Sequence, residues 1–311
     1  MRVLFMGTAS FGVCTFLSLL DSKHELLGVI TQPDRPKGRG RSLQESAIKQ
    51  FAVRYGVPVY QPESVRVDEV LDLVRAIAPD IFVVVAFGQI IPKSLLDMPR
   101  YGSVNVHASL LPKYRGAAPI QYALFNGEAR TGVTTMLMDS GLDTGPILLQ
   151  EEMEIEPNED AGSLEDRLSV IGAPLLLRTL DGLEDGTITP TPQDDAQSSY
   201  APSIKRQDCV VDWRRPAPEI VNLVRGCIPR PGAVTVCAGT PAKLWSCSAR
   251  DGDGRPGDVL SVESDGITVS AGAGAVLVRE LQPENRKVMR AADFARGYAV
   301  SVGSRFGPDG D

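Results

Sequence analysis

Asn105-Val106-His107 sets a carboxamide and an imidazole two positions apart, and on an extended strand residues so spaced project to the same side. A side-chain amide and a protonated imidazole both donate hydrogen bonds, which equips them to stabilise an oxyanion forming on a carbonyl. Downstream, Met138-Asp139-Ser140-Gly141-Leu142-Asp143-Thr144-Gly145-Pro146 is a glycine-punctuated loop carrying two acids. A carboxylate brought from that loop to His107 would hold the ring in orientation and favour the imidazolium. A lone histidine is more often structural than catalytic. Here the neighbouring asparagine and the place at a predicted strand end, where active sites form on open α/β sheets, favour chemistry. No serine sits in a G-x-S-x-G elbow, and Cys14 has no histidine close in sequence. Direct acyl transfer to a bound nucleophile therefore fits better than a covalent acyl-enzyme.

Other chemistries find little support. The chain has 311 residues and only two histidines, His24 and His107, too few ligands to expect a metal site. Its five cysteines (Cys14, Cys209, Cys227, Cys237 and Cys247) contain no C-x-x-C pair, and their odd number argues against a disulfide framework. Gly7-Thr8-Ala9-Ser10-Phe11-Gly12 is neither a dinucleotide fingerprint nor a Walker loop, and reads as a tight strand-to-helix turn. The apolar opening Met1–Gly7 is too short for a signal segment or a membrane span, so a cytoplasmic location and no membrane partner are expected.

The elements that must position these groups follow from patterning. Val3–Met6, Leu26–Thr31, the wholly apolar Ile81–Phe87, Val104–His107 and Val133–Met138 read as strands, and residues 11–20 have helical spacing. An uninterrupted apolar strand belongs at the centre of a parallel sheet covered on both faces. Strands alternating with helical patterns predict an open, mostly parallel α/β sheet. Composition shifts near residue 185, where Pro, Thr, Ser and Asp accumulate as in a linker. Beyond it a helix over 216–227 and short runs at 233–236, 242–246, 257–262, 266–270 and 275–281 have the rhythm of a small β-barrel. Three segments are expected: a catalytic domain over 1–190, a linker over 191–206 and a barrel domain over 207–311. A length of 311 residues and an apolar fraction of 43% suit two globular domains.

The net charge of −7 argues against a basic nucleic-acid binder as a whole. Residues 1–202 hold 17 basic and 26 acidic side chains, whereas residues 203–311 hold 15 and 13. Within the acidic segment a single stretch differs, with Arg35, Lys37, Arg39, Arg41, Lys49 and Arg54 against Asp34 and Glu45. By base rate such a stretch is a solvated loop, yet a local row of cations matters to a polyanion even when the total charge opposes it.

Asn105–Gln121, Gly132-Val133-Thr134 and Met138–Gly145 together resemble the folate-dependent formyltransferase superfamily, which shares an Asn-x-His and a distant Asp. Within it, Gln32-Pro33-Asp34-Arg35-Pro36-Lys37-Gly38-Arg39-Gly40-Arg41 is similar to a loop of the methionyl-tRNA formyltransferase family. Gly7-Thr8, Tyr200-Ala201-Pro202, Val211-Asp212-Trp213 and Leu281-Gln282-Pro283 extend the likeness over nearly the whole chain. The resemblance implies a Rossmann-like catalytic domain followed by an OB-like, tRNA-binding barrel. It implies transfer of the formyl group of 10-formyltetrahydrofolate to the amino group of initiator Met-tRNA, for translation initiation, with no metal and as a monomer.

By position Asn105, His107 and Asp143 match the family's catalytic residues. Ser109, Leu110, Leu111 and Pro112 match its folate-contacting segment, and Phe87, Gly88 and Ile90 lie in a run matching a pterin-pocket loop. Arg39, with Arg35, Lys37 and Arg41 around it, matches the tRNA-binding loop. The chain departs from the pattern at Ala9, where the family has Pro, and at Arg230, where it has Trp. Competing readings are a sugar-nucleotide N-formyltransferase, which needs no basic loop, a glycinamide formyltransferase, which leaves the C-terminal region unexplained, and a non-catalytic tRNA-binding protein, which has no use for the donor-and-carboxylate set.

Overall fold

The computed structural model describes residues 1–37 and 42–307. The chain divides into two compact units, each assembled from three segments. The first comprises Met1–Gly116, Arg130–Met153 and Glu165–Ala201; the second comprises Ala117–Ala129, Glu154–Leu164 and the chain from Pro202 onward.

The first unit begins with β1 (Arg2–Gly7), α1 (Val13–Leu20) and β2 (Glu25–Ile30). A short hairpin follows, β3 (Arg35–Lys37) and β4 (Ser42–Gln44), and then α2 (Ala47–Arg54), capped by the Ser46 hydroxyl accepting from the Lys49 amide. Next come β5 (Val59–Tyr60), α3 (Asp68–Ile77), β6 (Ile81–Val85), α4 (Lys93–Leu96) and β7 (Ser103–His107). The chain gives α5 (Pro119–Phe125) to the second unit. It then supplies β8 (Arg130–Leu137), β9 (Ile147–Glu154) and the long α6 (Ala161–Glu184).

The strands form a seven-stranded sheet in the order β5-β2-β1-β6-β7-β8-β9. β5, β2, β1, β6 and β7 run parallel, and β8 is antiparallel to β7. β1 and β6 lie at the centre. Leu4, Met6, Phe82 and Val84 face a core shared with Val70 and Val74 of α3. Their neighbours Phe5, Val83 and Val85 are equally buried, so both faces are covered and the strands read as unbroken apolar runs. The parallel order brings the carboxyl ends of β6 and β7 side by side, and ligands on such sheets bind beyond those ends.

The stretch 191–206, expected to be a linker, is anchored to the first unit as far as Ala201. Thr191 bridges Ile147, Tyr200 bridges Arg115, and the Ala201 amide donates to the Arg115 carbonyl at 2.8 Å. Its polar composition reflects bonding to another segment's backbone rather than freedom from it.

In the second unit, α7 (Ala217–Cys227) lies where helical spacing predicted it. It precedes β10 (Ala233–Cys237), β11 (Thr240–Arg250), β12 (Val259–Glu263), β13 (Gly266–Ser270), β14 (Ala275–Pro283), β15 (Met289–Arg290) and α8 (Ala291–Gly297). The antiparallel order is β10-β11-β14-β13-β12. Residues 304–307 join its ends: Val259 N–H donates to the Ser304 carbonyl at 2.9 Å, and Gly307 N–H to the Val236 carbonyl at 2.8 Å. The sheet thereby closes on itself and leaves neither outer strand as a bare edge. α5 packs into this unit's core, since a Cβ on Gly226 of α7 would come within 2.4 Å of the Phe125 ring. Arg230 is exposed, so a side chain other than the family's Trp leaves no gap in the core there.

Candidate active site

The turn that leaves β7 is pinned from β8. Register sets His107 opposite Thr134, whose hydroxyl donates to the Ser109 carbonyl at 2.6 Å and accepts from the Leu111 amide at 3.1 Å. Gln150 of β9 adds a bond to the Leu111 carbonyl at 2.9 Å. The chain then turns at Tyr114, with φ of 60°, and Gly116, with φ of 118°. A Cβ on Gly116 would stand 2.7 Å from the Ala201 carbonyl oxygen, so glycine alone suits both the angle and the space.

That turn delivers two groups to Asp143. Gly116 N–H donates to Asp143 Oδ2 at 2.8 Å, and Asn105 Nδ2 donates to Oδ1 at 3.3 Å. His107 Nδ1 lies 3.7 Å from Asp143 Oδ2, beyond a direct hydrogen bond but well within electrostatic reach. The other ring nitrogen, Nε2, is 2.9 Å from the Tyr114 carbonyl oxygen. A carbonyl only accepts, so Nε2 carries a hydrogen and Nδ1 is the atom turned toward the carboxylate. Both side chains are enclosed: that of His107 is 6% exposed and that of Asp143 13%.

Asn105, His107 and Asp143, named from sequence, are thus brought together. Asp139, the other acid of the loop, is occupied locally: its Oδ1 accepts from Gly141 N–H at 2.9 Å and from the Thr144 hydroxyl at 2.7 Å. It shapes the loop, and Asp143 is the acid that reaches the histidine.

The expected folate residues fall at two neighbouring strand ends. After β6 the chain bends sharply at Ala86 and Gly88, both with positive φ. The Phe87 side chain is buried, and its carbonyl accepts from Thr8 Oγ1 at 2.8 Å and Gln32 Nε2 at 3.1 Å. Gly88 is exposed, and Ile90 presents 75% of its surface, a large apolar group at the mouth of the sheet. After β7, Ser109 and Leu111 are turned inward, with Ser109 Oγ donating to the Lys113 carbonyl at 2.6 Å. Leu110 and Pro112 are half-buried.

The basic stretch includes a short hairpin, because β3 and β4 pair antiparallel. Its base is fastened by Asp34, which accepts from Lys49 Nζ at 2.5 Å and Gln61 Nε2 at 2.8 Å. The Lys49 ammonium, with Gln61 beside it, holds the Asp34 carboxyl below its ordinary value. Lys49 is therefore a structural cation, whereas Arg35 is 62% exposed and paired with the exposed Glu63. Arg39, Arg41 and the side chain of Lys37 lie outside the described residues.

Two further residues were missed by sequence reading. Arg115 is 2% exposed, with its guanidinium bound to Gln193 and Asp195. Burial works against its charge, yet the Asp195 carboxylate and the Tyr200 hydroxyl outweigh it and hold the group above its ordinary value. Gln193 fell in the expected linker. No periodicity or motif marks it. Among the described residues one cluster, His24 with Asp181 and Glu184, has ligand atoms close enough for a cation. Lys23 Nζ and the Met1 ammonium already stand on its two carboxylates.

Residues 1–180 match the formyl transferase family, and residues 203–299 match the formyl transferase C-terminal domain. Over 307 residues the chain is 50% identical to the methionyl-tRNA formyltransferase of Trichlorobacter lovleyi, covering 99% of this chain and 97% of the relative. The chain belongs to the methionyl-tRNA formyltransferase family. Among solved structures, HypX from Aquifex aeolicus in complex with tetrahydrofolic acid matches at a TM-score of 0.67 and 18% identity, over 97% of this chain and 48% of that one. The N-formyltransferase from Helicobacter canadensis, in complex with folinic acid and dTDP-3-aminofucose, matches at 0.64 and 19%, over 91% and 99%. At these identities the likeness is one of fold. Among the described residues no helix is long and apolar enough to cross a membrane.

Proposed function

We propose that Asn105, His107 and Asp143 carry, in this chain, the reaction of its family. The activity is formyl transfer from 10-formyltetrahydrofolate to the amino group of initiator Met-tRNA, the step that readies the tRNA for translation initiation. The observation that carries the residue assignment is the convergence of Asn105, Gly116 and His107 on the single Asp143 carboxylate at the carboxyl end of β7.

Each group has a distinct task. As the methionyl amine adds to the formyl carbon, negative charge gathers on the formyl oxygen. Asn105 Nδ2 has two hydrogens, one directed at Asp143, leaving the second for that oxygen. With Nε2–H held by the Tyr114 carbonyl, the imidazolium proton of His107 must sit on Nδ1, where it also donates to the oxyanion. Asp143 offsets the positive charge that this requires. The proton released by the amine passes to the departing folate nitrogen, directly or through water, and the intermediate collapses. Phe87, Gly88 and Ile90 after β6, with Ser109, Leu110, Leu111 and Pro112 after β7, supply the folate side of the site.

The tRNA side falls to the β3–β4 hairpin, with Arg35, Lys37, Arg39 and Arg41, and to the second unit, whose exposed Arg286 and Lys287 follow β14. A tRNA substrate supports a site of action in the cytoplasm. The deciding experiment offers Met-tRNA and an amino-sugar nucleotide in parallel with 10-formyltetrahydrofolate. Formylation of Met-tRNA alone is expected; formylation of the sugar alone overturns the substrate assignment.

A further inference from the structure

Asp143 occupies an awkward place. Its φ is 53°, a left-handed backbone that aspartate tolerates without requiring, in a loop whose next-door Leu142 is 59% exposed, so bonds from other segments help to set its position. We propose that Gln193 is a positioning residue for formyl transfer, tying the loop that bears Asp143 to the buried guanidinium of Arg115. This rests on the reading of Asp143 given above.

The Gln193 carboxamide uses all its hydrogen-bonding positions. Nε2 donates to the carbonyls of Asp143 at 2.8 Å and Gly145 at 2.7 Å, bracketing the end of the loop. Oε1 accepts from Arg115 Nε at 3.0 Å and Nη2 at 2.9 Å. A guanidinium only donates and a carbonyl only accepts, so the amide has one workable orientation. Arg115 itself is fixed. Its Nη2 also donates to Asp195 at 2.8 Å, and its backbone amide donates to the Ser199 carbonyl at 2.8 Å. The two residues flanking it are those that touch the reacting groups: the Tyr114 carbonyl holds His107, and Gly116 N–H holds Asp143.

The bonds therefore close a ring, from His107 through Tyr114 and Arg115 to Gln193, and through Asp143 back to Gly116. Gln193 fixes the Asp143 main chain at one end while Gly116 fixes its carboxylate at the other. Charge-assisted bonds to a buried guanidinium make a stiff anchor for the far side of that clamp. The simpler alternative is that Gln193 only fastens the 191–201 segment to the sheet. Fastening alone would affect stability and leave turnover untouched.

The test uses the full-length enzyme with Gln193→Met, which keeps the shape and removes the bonds. Gln193→Glu serves beside it, keeping an Arg115 partner but setting a carboxylate against two carbonyl oxygens. Turnover, both KM values and the unfolding temperature are measured, alone and combined with Asp143→Ala under single-turnover conditions. Loss of about 10–100-fold in kcat is expected for Gln193→Met, with both KM values nearly unchanged, as for a displacement of a reacting group by a fraction of an ångström. Gln193→Glu should not rescue it, and in the Asp143→Ala background Gln193→Met should cost nothing further. Full turnover in Gln193→Met, rescue by Glu, or losses that multiply in the double variant each overturn the positioning role. Full turnover in Asp143→Ala would instead bring down the role of Asp143 and this inference with it. Should Gln193→Met fail to fold, Gln193→Asn, one methylene shorter, carries the same comparison.

Discussion

The turn after β7 and the β3–β4 hairpin both leave the carboxyl edge of the same sheet, yet they are built on opposite principles. In the first, polar groups are enclosed and committed: Asp143 is held by Gly116 and Asn105, His107 by the Tyr114 carbonyl, and Arg115 is 2% exposed. In the second, Asp34, Lys49 and Gln61 interlock at the base, while Arg35 is 62% exposed and paired only with the exposed Glu63. Stabilising a charge that lasts only through a transition state demands donors already in place. Holding a phosphate backbone demands cations and reach, and tolerates water and salt. The contrast predicts different losses when each is damaged.

Damage to the turn should be the most severe. His107→Ala or Asn105→Ala should lower kcat by about 10²–10³-fold, because each removes a donor that the proposed mechanism uses mainly on the developing oxyanion. Folate binding should change little. Either variant retaining half of its turnover would remove that residue from the mechanism.

Damage to the hairpin should spare kcat. Replacing 37–41 with Gly and Ser, or Arg39→Ala alone, should raise the KM for Met-tRNA, by about tenfold for the multiple replacement. The folate KM should hold, and the salt dependence of tRNA binding should flatten by about one unit of slope per cation lost. Met-tRNA kinetics unaltered across a salt series would return the loop to the status of a solvated surface and favour the sugar-nucleotide reading.

The base of the hairpin sharpens the distinction. Lys49 is a cation of the same region but is bound to Asp34 and Glu45, so it is not available to phosphate. Lys49→Met should raise the Met-tRNA KM only slightly and leave the salt slope as it was. A fall in slope equal to that of Arg39→Ala would place Lys49 on the tRNA.

The smallest effect concerns stability away from both regions. Burial, reinforced by the nearby terminal ammonium, pushes the His24 imidazole below its ordinary value of 6.5, although Asp181 and Glu184 pull the other way. As pH falls below about 6.5 the unfolded chain takes up this proton before the folded one does. The stability conferred by a neutral His24 is therefore present above that pH and lost as pH drops through the lowered folded value. His24→Gln should flatten the acid side of the stability curve, read by denaturant unfolding between pH 5 and 7.5. Parallel curves for the two proteins would show that His24 does not contribute.

Much of this was legible because single chemical facts fixed it. Ile81–Val85 is buried on both faces, and an apolar run of that length has few other homes. Asn105 and His107 share a side because a strand repeats every two residues, and α7 announced itself by helical spacing. The antiparallel turn of β8 was not visible, since Val133–Met138 is as apolar as a parallel strand in the same sheet. Gln193 was hidden for another reason: two of its partners are main-chain carbonyls about fifty residues away in sequence, which leave no trace in residue types, and the third is a guanidinium further off still. The left-handed backbone at Asp143 is equally silent, because aspartate tolerates that conformation without requiring it.

The interleaving of the two units has a practical consequence. The family boundaries, 1–180 and 203–299, suggest a protein that can be cut in two near residue 200. The chain, however, passes from one unit to the other five times, and residues 117–129 and 154–164 belong with the barrel. A fragment ending at 201 would keep α5 without α7, leaving Phe125 and its apolar neighbours with nothing to cover them. A fragment starting at 202 would lack the helix that packs against its own core. Neither half is a transplantable module, and swapping the barrel between relatives would have to carry those two short stretches along, the first of which begins one residue after the amide that grips Asp143.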